Sequence, residues 1–424
     1  MVMTPAGRSF AQRFERFGRW DEALKIPKIF LRTGSDPMYR RFPSGEIAPG
    51  RCHPHDLMLR RRRAFPSCRH KLFDNKCLVA RDTPGRMGCR SLLKPWRPTY
   101  RREAPSPEVM QGDTLLIKSG GAAALTEWQH HFARLMPGLR VYGWDDPFVD
   151  ARNVKYALVY QPDHGRLAHY PRLRLILSAA AGVDHILADP ALPTGVPIVR
   201  MVTDETRERM SDFVAFAALA IVRDIPALIT AQRDGRWAND LTGRLARDTR
   251  VSVLGLGELG SAVATRLRAN GFQVNGWART PRSLAGVKVF AGEAQLDALL
   301  AETDILVNLL PDTHATRGIL GRKLFAQLPA GASLIQVGRG VHLDRQALLD
   351  ALDSGRLRSA VVDVFDVEPL PSDDALRRHP KVLVTPHIAS TVSYAARARQ
   401  VADVLGAHLR GAPLPFVYDA ERGY

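Results

Sequence analysis

The 424-residue chain has no cysteine after residue 89, and its four cysteines all lie in the first quarter of the sequence. Residues 110–424 therefore hold no disulfide, no cysteine nucleophile and no cysteine-ligated metal. A secretory start, with a charged stretch followed by an apolar one, is also missing. Both absences fit a reducing compartment and predict a cytoplasmic protein.

Long hydrophobic runs are scarce as well. The longest, Phe213–Val222, stops at Arg223 and is too short to span a bilayer, so no membrane association is expected. Apolar residues make up 45% of the chain and charged residues 24%, which is typical of a globular protein. This composition excludes a wholly disordered, collagen-like or fibrous chain.

Positive charge is concentrated at one end. Residues 1–109 hold 24 Lys+Arg against 10 Asp+Glu, whereas the rest of the chain has a net charge of only +3. The segment lacks a helical or strand period and is broken by Pro, Gly and Arg. It is open to three interpretations: an RNA-binding or targeting arm around Arg60–Arg63, a disordered extension, or a stretch that is not normally translated because synthesis begins at Met110.

A zinc site in this basic segment is disfavoured. The available ligands are Cys52, Cys68, Cys77 and Cys89 with His53, His55 and His70. Their spacings contain no paired Cys-x-x-Cys pattern, so no metal site is expected.

From residue 110 onward, short apolar runs alternate with amphipathic stretches. The runs TLLIKS, LRVYGW, YALVYQ, LRLILSA and PIVRMV predict strands, and a long apolar helix is expected from about Ser211 to Gln232. A second series follows in VSVL, FQVNGW, TDILVNLL, ASLIQVG, SAVVDVF and KVLVTP, and the segment VSYAARARQVADVLGAHL predicts a final helix. This alternation predicts an α/β fold made of two Rossmann-like, doubly wound parallel-sheet domains.

A glycine motif connects the first strand and helix of the second series. The predicted strand from Val251 runs directly into Gly255, Gly257 and Gly260, and a helix follows at once. The first glycine permits a tight turn, the second lets backbone approach a pyrophosphate, and the third lets helix and strand pack closely. With a strand before it and a helix after it, the motif predicts a dinucleotide site at a helix N-terminus.

The end of the next predicted strand indicates which dinucleotide binds. NAD-binding proteins usually place an acid there for the ribose hydroxyls, but this chain has Ala278, followed by Arg279, Thr280 and Arg282. The segment has no carboxylate that would repel a phosphate, and its two guanidinium groups could bind one. The sequence therefore predicts NADP as the preferred cofactor.

Three ionisable residues, Arg339, Glu368 and His387, follow the ends of successive predicted strands. Open α/β sheets bind ligands at those ends, which places all three near the nicotinamide. His387 suits a proton donor, and Glu368 would favour the imidazolium and orient the ring. Arg339 could bind a 2-oxo acid and stabilise charge on its carbonyl oxygen. The set predicts carbonyl reduction by a nicotinamide cofactor.

At these residues the sequence resembles the D-isomer-specific 2-hydroxyacid dehydrogenases. The matching segments, all within residues 110–424, are VLGLGELGSAVA, NLLPDTHATRGIL, IQVGRGVHLDRQALLDAL, VVDVFDVEPLP and VTPHIAS. Within the family, SAAAGVDHIL, GWARTPRS, GRGVH and the terminal RGY resemble the glyoxylate/hydroxypyruvate reductase A subgroup.

The resemblance implies roles for residues of this chain. Arg339, Glu368 and His387 match the catalytic set. The cofactor would contact three groups of residues: the pyrophosphate loop of Gly255, Gly257, Glu258, Leu259 and Gly260; the 2′-phosphate segment of Arg279, Thr280 and Arg282; and Pro311, Val337 and Asp363. Ala181 and Gly182 match the turn that holds the substrate carboxylate, and Trp144 lies where the subgroup has a tryptophan near the pocket.

The resemblance also implies an organisation. A substrate-binding domain at 110–208 would be completed by a C-terminal helix within 391–424, a NADP-binding Rossmann domain would occupy 209–390, and a homodimer would form through the cofactor domains. Two positions depart from the family pattern. Ala278 replaces the acid common in NAD-using members, and Asp212 stands where many members have Glu.

The expected activity is NADPH-dependent reduction of small 2-oxo acids, glyoxylate to glycolate and hydroxypyruvate to glycerate. Two alternatives stay open. One is a reductase of the same family that acts on a bulkier 2-oxo acid. The other is a non-catalytic nucleotide-sensing protein, tethered to nucleic acid by the basic segment.

Overall fold

The computed structural model describes residues 112–423, so the interpretations of residues 1–109 lie outside it. The first half of this region builds a five-stranded parallel sheet in the order β2-β1-β3-β4-β5. Its elements are β1 (Thr114–Lys118), α1 (Gly121–Leu135), β2 (Arg140–Gly143), β3 (Val154–Val159), β4 (Leu175–Ser178), α2 (Asp184–Leu187) and β5 (Ile198–Val199). We call it the substrate-side sheet, after the role that the resemblance implies for it.

The single helix expected from about Ser211 to Gln232 is wrong. The structure has two helices, α3 (Asp204–Val222) and α4 (Ile225–Arg233), which meet at a 63° bend. Asp224 has a left-handed backbone with φ of 54°, and Pro226 occupies the first turn of α4. Proline cannot donate the hydrogen bond that a continuous helix requires, so it starts a new helix instead.

The start of α3 was also placed too late by the sequence. Thr203 caps the helix: its hydroxyl accepts the backbone N–H of Thr206, whose own hydroxyl accepts the N–H of Thr203. This reciprocal capping satisfies two donors that a helix start otherwise leaves free. The expected boundary between residues 208 and 209 consequently falls inside α3.

The second half builds a seven-stranded parallel sheet, the cofactor-side sheet, in the order β12-β11-β10-β9-β6-β7-β8. The strand order reverses between β6 and β9, which is where open α/β sheets leave a crevice for ligands. Its elements are β6 (Arg250–Leu254), α5 (Glu258–Ala269), β7 (Gln273–Ala278), β8 (Lys288–Ala291), α6 (Leu296–Ala301), β9 (Ile305–Asn308), α7 (Arg322–Gln327), β10 (Ala332–Gln336), α8 (Arg345–Asp353), β11 (Leu357–Val362) and β12 (Val382–Val384).

The last helix, α9 (Tyr394–Leu409), returns to the substrate-side sheet. Its Ala398, Val401 and Leu405 are buried in one core with Trp128 and Phe132 of α1. Beyond α9, Val417 forms an antiparallel bridge with Val199 of β5, and the Tyr418 N–H donates to the carbonyl of Ile198. The substrate side is thus built from two separate stretches of chain.

The α/β fold with two parallel-sheet domains is confirmed. Both sheets are parallel throughout, and their strands are mostly buried, as expected when helices cover both faces. In residues 112–423 no single helix is long and apolar enough to cross a membrane. Only the bent pair α3–α4 reaches the necessary length and apolar composition, when its two helices are counted together.

Candidate active site

A cleft of about 1570 Å³ lies between the two sheets. Residues following β1, β2, β3, β4 and β5 line one wall, and residues following β6, β7, β9, β10, β11 and β12 line the other. Every residue that the sequence singled out for the site lines this cleft: Trp144, Ala181, Gly182, Gly255, Gly257, Glu258, Leu259, Gly260, Arg279, Thr280, Arg282, Pro311, Val337, Arg339, Asp363, Glu368 and His387. The structure thus brings together side chains that lie up to 243 positions apart in the sequence.

The glycine loop has the geometry that its spacing predicts. Gly255 has φ of +94°, and a Cβ there would stand 2.8 Å from the carbonyl oxygen of Leu309. A Cβ on Gly260 would collide with the carbonyl of Gly255, whereas a Cβ on Gly257 would meet nothing within 4 Å. The loop is therefore closely packed at Gly255 and Gly260 and open at Gly257. The open side leaves room for a phosphate group against the N-terminus of α5.

Glu258, the first residue of α5, places a carboxylate at this anionic site. Its Oε2 pairs with Nη2 of Arg207 at 2.9 Å, and Arg207 also pairs with Asp204. An arginine of α3 therefore balances the one acidic side chain in the glycine loop. This ion pair also ties α3 to the start of α5.

The arginines after β7 lie where a 2′-phosphate would be expected. Ala278 is buried at the end of the strand, and Arg279 and Arg282 are both exposed in the cleft. Nη1 of Arg282 donates to the carbonyl of Leu256, which holds this cation beside the glycine loop. Nη1 of Arg279 donates to the carbonyl of Arg422 at 3.2 Å, so the segment after α9 reaches this part of the cleft.

His387 and Glu368 form a hydrogen-bonded pair. Nδ1 of His387 lies 2.8 Å from Oε2 of Glu368, and Oε1 of the same carboxylate accepts the backbone N–H of Phe365. A carboxylate only accepts, so Nδ1 carries a hydrogen and Nε2 is the ring nitrogen left for a ligand. The pair therefore has an oriented imidazole, as general acid–base chemistry requires.

The backbone of His387 is left-handed, with φ of 54°. Asp363 holds this conformation, since its buried carboxylate accepts the hydroxyl of Thr385 at 2.6 Å and the N–H groups of Ile388 and Ala389 at 3.0 Å each. Strained backbone persists only where its surroundings fix it, and it clusters at functional sites. Resemblance implies a cofactor contact for Asp363, which lines the cleft, and its carboxylate in addition shapes the histidine loop.

Arg339 reaches across the cleft from the end of β10. Its Nε donates to Oδ1 of Asp184 at 3.0 Å on the substrate side, and its Nη1 donates to the carbonyl of Gly338. A Cβ on Gly182 would collide with its Nη2. Burial acts to raise the pKa of Asp184, but the charge and hydrogen bond of Arg339 outweigh it and hold that pKa below its usual range.

The turn after β4 offers backbone rather than charge. The hydroxyl of Ser178 accepts the N–H of Ala180 and donates to the carbonyl of Gly182, which closes the turn. Among the hydrogen bonds of residues 112–423, none uses the N–H of Ala181 or of Gly182. Two free donors beside a guanidinium are suited to binding a carboxylate.

Two residues of the cleft, Asp184 and Tyr160, were missed by the sequence analysis. Asp184 stands just past the end of β4, so the strand-end rule that found Arg339 could also have found it. Tyr160 lines the cleft with its ring centroid 4.8 Å from that of His185; burial and the charge of Glu368 raise its pKa. Trp144 was noted, but its indole N–H is already engaged by Asp163 at 2.6 Å.

No metal centre is seen in the described part of the chain, where no three His, Cys, Asp or Glu side chains cluster. The cysteines and histidines of residues 1–109 lie outside that part. Asp212, the second departure from the family pattern, pairs with Arg266 of α5 at 2.5 Å and thereby joins α3 to α5.

Comparison with known proteins identifies the family. Residues 215–389 match the model of the D-isomer specific 2-hydroxyacid dehydrogenase NAD binding domain. Glyoxylate/hydroxypyruvate reductase A of Serratia proteamaculans is 37% identical over 304 residues, which cover 70% of this chain and 96% of that protein. The chain belongs to the D-isomer specific 2-hydroxyacid dehydrogenase family.

Solved structures of the same family agree. A D-isomer specific 2-hydroxyacid dehydrogenase from Xanthobacter autotrophicus Py2, in complex with NADPH and MES, has a TM-score of 0.70 and 39% identity, covering 74% of this chain and all of that one. The NADPH-dependent glyoxylate/hydroxypyruvate reductase of Sinorhizobium meliloti, in complex with NADP and sulfate, has a TM-score of 0.69 and 35% identity over the same shares. The family expected from the sequence is confirmed, and the chain is an oxidoreductase of the 2-hydroxyacid dehydrogenase type.

Proposed function

We propose that the chain reduces small 2-oxo acids, glyoxylate and hydroxypyruvate first, with NADPH as electron donor. The observation that carries the proposal is the His387–Glu368 pair, which faces the same cleft as Arg339 and the glycine loop. A proton donor, an anion-binding cation and a dinucleotide site then share one cavity. Relatives named glyoxylate/hydroxypyruvate reductase A, and a structural neighbour holding NADP, support the choice of substrates and cofactor.

The residues present fit NADPH. The open face at Gly257 and the N-terminus of α5 would receive the pyrophosphate, and Arg279, Thr280 and Arg282 would receive the 2′-phosphate. Position 278, where NAD-binding proteins usually have an acidic residue that binds the ribose hydroxyls, is an alanine. When bound, the nicotinamide supplies the hydride that the carbonyl carbon accepts.

The chain's own residues would perform the rest of the reaction. Arg339 and the free N–H groups of Ala181 and Gly182 would hold the substrate carboxylate, and Arg339 would also polarise the carbonyl. Nε2 of His387 would give its proton to the carbonyl oxygen as negative charge develops there. Glu368 would keep the ring oriented until that transfer, through its hydrogen bond with Nδ1.

The decisive experiment is an absorbance assay of NADPH and NADH oxidation by the full chain. Glyoxylate, hydroxypyruvate and phenylpyruvate are offered in parallel, and a chain beginning at Met110 is assayed beside it. We expect fast turnover with NADPH and the two small acids in both proteins. Turnover with phenylpyruvate alone would replace the substrate assignment by a bulkier 2-oxo acid, and no turnover with any of the three would contradict the proposal.

The homodimer remains a prediction. Large apolar side chains are exposed on α3 and on the loop after α4: Phe216, Leu219, Trp237 and Leu245. Trp237 is 90% exposed, which is unusual for a tryptophan unless a partner covers it. Light scattering should give twice the chain mass for the wild type and a lower mass for Trp237→Asp. A monomeric wild type would contradict the prediction.

A further inference from the structure

A fully buried histidine, His342, lies behind Arg339 at the end of the turn Gly340–His342. It does not line the cleft, and neither the catalytic set nor the cofactor contacts include it. The residue nevertheless hydrogen-bonds the backbone of two segments that line the cleft, at Arg339 and at Pro311. Its hydrogen bonds fix what each ring nitrogen does.

Nδ1 of His342 faces two donors. The backbone N–H of Arg339 points to it at 3.2 Å, and Nδ2 of Asn308 lies 2.9 Å away. The amide orientation of Asn308 is itself determined, because its Nδ2 also donates to Oε1 of Gln336 at 2.7 Å and its Oδ1 accepts the N–H of Leu310. The two hydrogens of this amide therefore go to Gln336 and to His342, and Nδ1 can only accept.

The hydrogen of the neutral ring must then be on Nε2. That nitrogen lies 3.2 Å from the carbonyl oxygen of Pro311, which accepts it. Burial lowers the pKa of His342 to about 4, so the ring stays neutral near pH 7. The ring is thus a fixed link that accepts at one end and donates at the other.

The two ends of this link hold different parts of the site. Arg339 follows β10, and its carbonyl is held as well, by Nε2 of Gln336 at 2.7 Å. Pro311 follows β9 and lines the cleft in the segment assigned to the cofactor. A backbone held at both its N–H and its C=O has little freedom, so the direction of the Arg339 side chain is set from behind.

We propose that His342 is a positioning residue that fixes the backbone of Arg339 through Nδ1 and the backbone of Pro311 through Nε2–H. The inference rests on the proposed reductase function. The hydrogen bond at Nδ1, to Arg339, would then support substrate binding (the Nδ1 half), and the hydrogen bond at Nε2, to Pro311, would support cofactor binding (the Pro311 half). His342 itself touches neither ligand.

Two conservative substitutions separate the halves. His342→Asn retains a polar atom near Nδ1 that accepts from Arg339 but loses the donor to Pro311. His342→Gln reaches the Nε2 position with an amide N–H but loses the acceptor for Arg339. We expect His342→Asn to raise the NADPH KM about tenfold with little change for glyoxylate, and His342→Gln to do the reverse, since a buried hydrogen bond is worth about a factor of ten.

Thr303→Val is the matched control. Thr303 is equally buried, in the connection between α6 and β9, and its hydroxyl bonds Ser252 and the carbonyl of Leu299, away from the cleft. This variant should lower the melting temperature and leave both KM values unchanged. If both histidine variants change the two KM values equally, or lose stability with unchanged KM values, the proposed division is overturned.

Two readouts do not need turnover. Fluorescence titration of NADPH tests the Pro311 half, with a tenfold weaker Kd expected for His342→Asn only. ¹⁵N NMR of histidine-labelled full-length protein, assigned by the signal lost in His342→Asn, should show a hydrogen-free Nδ1 and a protonated Nε2 at pH 7. The opposite tautomer would overturn the inference, whereas an inactive wild type with this tautomer would overturn the proposed function alone.

Discussion

The two walls of the cleft are built in different ways. On the cofactor side, the groups proposed to take part in the reaction are side chains that follow β10, β11 and β12: Arg339, Glu368 and His387. On the substrate side, the turn after β4 offers backbone N–H groups closed by Ser178. The groups proposed for proton transfer and anion binding thus follow strands of one sheet, whereas the other wall contributes backbone N–H donors and Asp184, which pairs with Arg339. Substitutions on the two walls should therefore fail in different ways.

The largest effect is expected for His387→Ala on the cofactor side. Loss of a positioned proton donor should lower kcat/KM for glyoxylate by about 10³-fold. Binding of NADPH, followed by fluorescence titration, should stay near the wild-type value because Nε2 serves the substrate. Activity near that of the wild type would exclude His387 as the proton donor.

On the substrate side, Gly182→Ala should act through binding. The added Cβ would collide with Nη2 of Arg339 and push the guanidinium away from the carboxylate site. We expect the KM for glyoxylate to rise about 30-fold, since hydrogen bonds to charged groups are worth about 1.5–3 kcal/mol. Steady-state kinetics should show a much smaller change in kcat, and a change confined to kcat would show that the two walls do not divide the work this way.

A smaller effect is expected at the far end of the cleft. Arg279→Ala removes a guanidinium from the expected 2′-phosphate position and should raise the KM for NADPH about tenfold. The KM for NADH serves as the internal control and should hardly change. Equal increases for both cofactors would mean that Arg279 does not discriminate between them.

The smallest effect concerns the ion pair that joins the walls. The pKa of Asp184 is held low in the folded protein, so the pair with Arg339 stabilises the fold above the ordinary carboxyl pKa of about 4 and is lost as pH falls. Asp184→Asn should lower the free energy of unfolding by about 1 kcal/mol or less at pH 7, because the ion pair is partly exposed. Urea unfolding should show this difference shrinking as pH falls below the ordinary carboxyl pKa of about 4; an unchanged difference would contradict the assignment.

The cofactor wall could be predicted from sequence because parallel strands that follow one another end at the same edge. Gly255, Arg339 and His387 each come directly after an apolar strand, so their positions follow from local pattern alone. The substrate wall was less predictable. The contact between Asp184 and Arg339 joins residues 155 positions apart, and no local pattern encodes it.

The break at Asp224 and the network of His342 were missed for related reasons. Helical propensity around Asp224 is high on both sides, and only Pro226 signals the interruption. His342 is a single buried polar residue in the turn after β10, and its hydrogen-bond pattern depends on Asn308 of β9 and Gln336 of β10. Pairing between distant segments, rather than local periodicity, decides such features.

The return of α9 to the substrate-side sheet has a consequence for how the protein is made. The core of that sheet needs Val401 and Leu405, and its edge needs Val417, but β5 ends at Val199. At the usual rate of synthesis, about 10–40 s pass between the emergence of residue 199 and that of residue 417. During this interval the cofactor-side domain emerges in full, whereas strands β1 to β5 have emerged without α9 and Val417, which complete their core and edge.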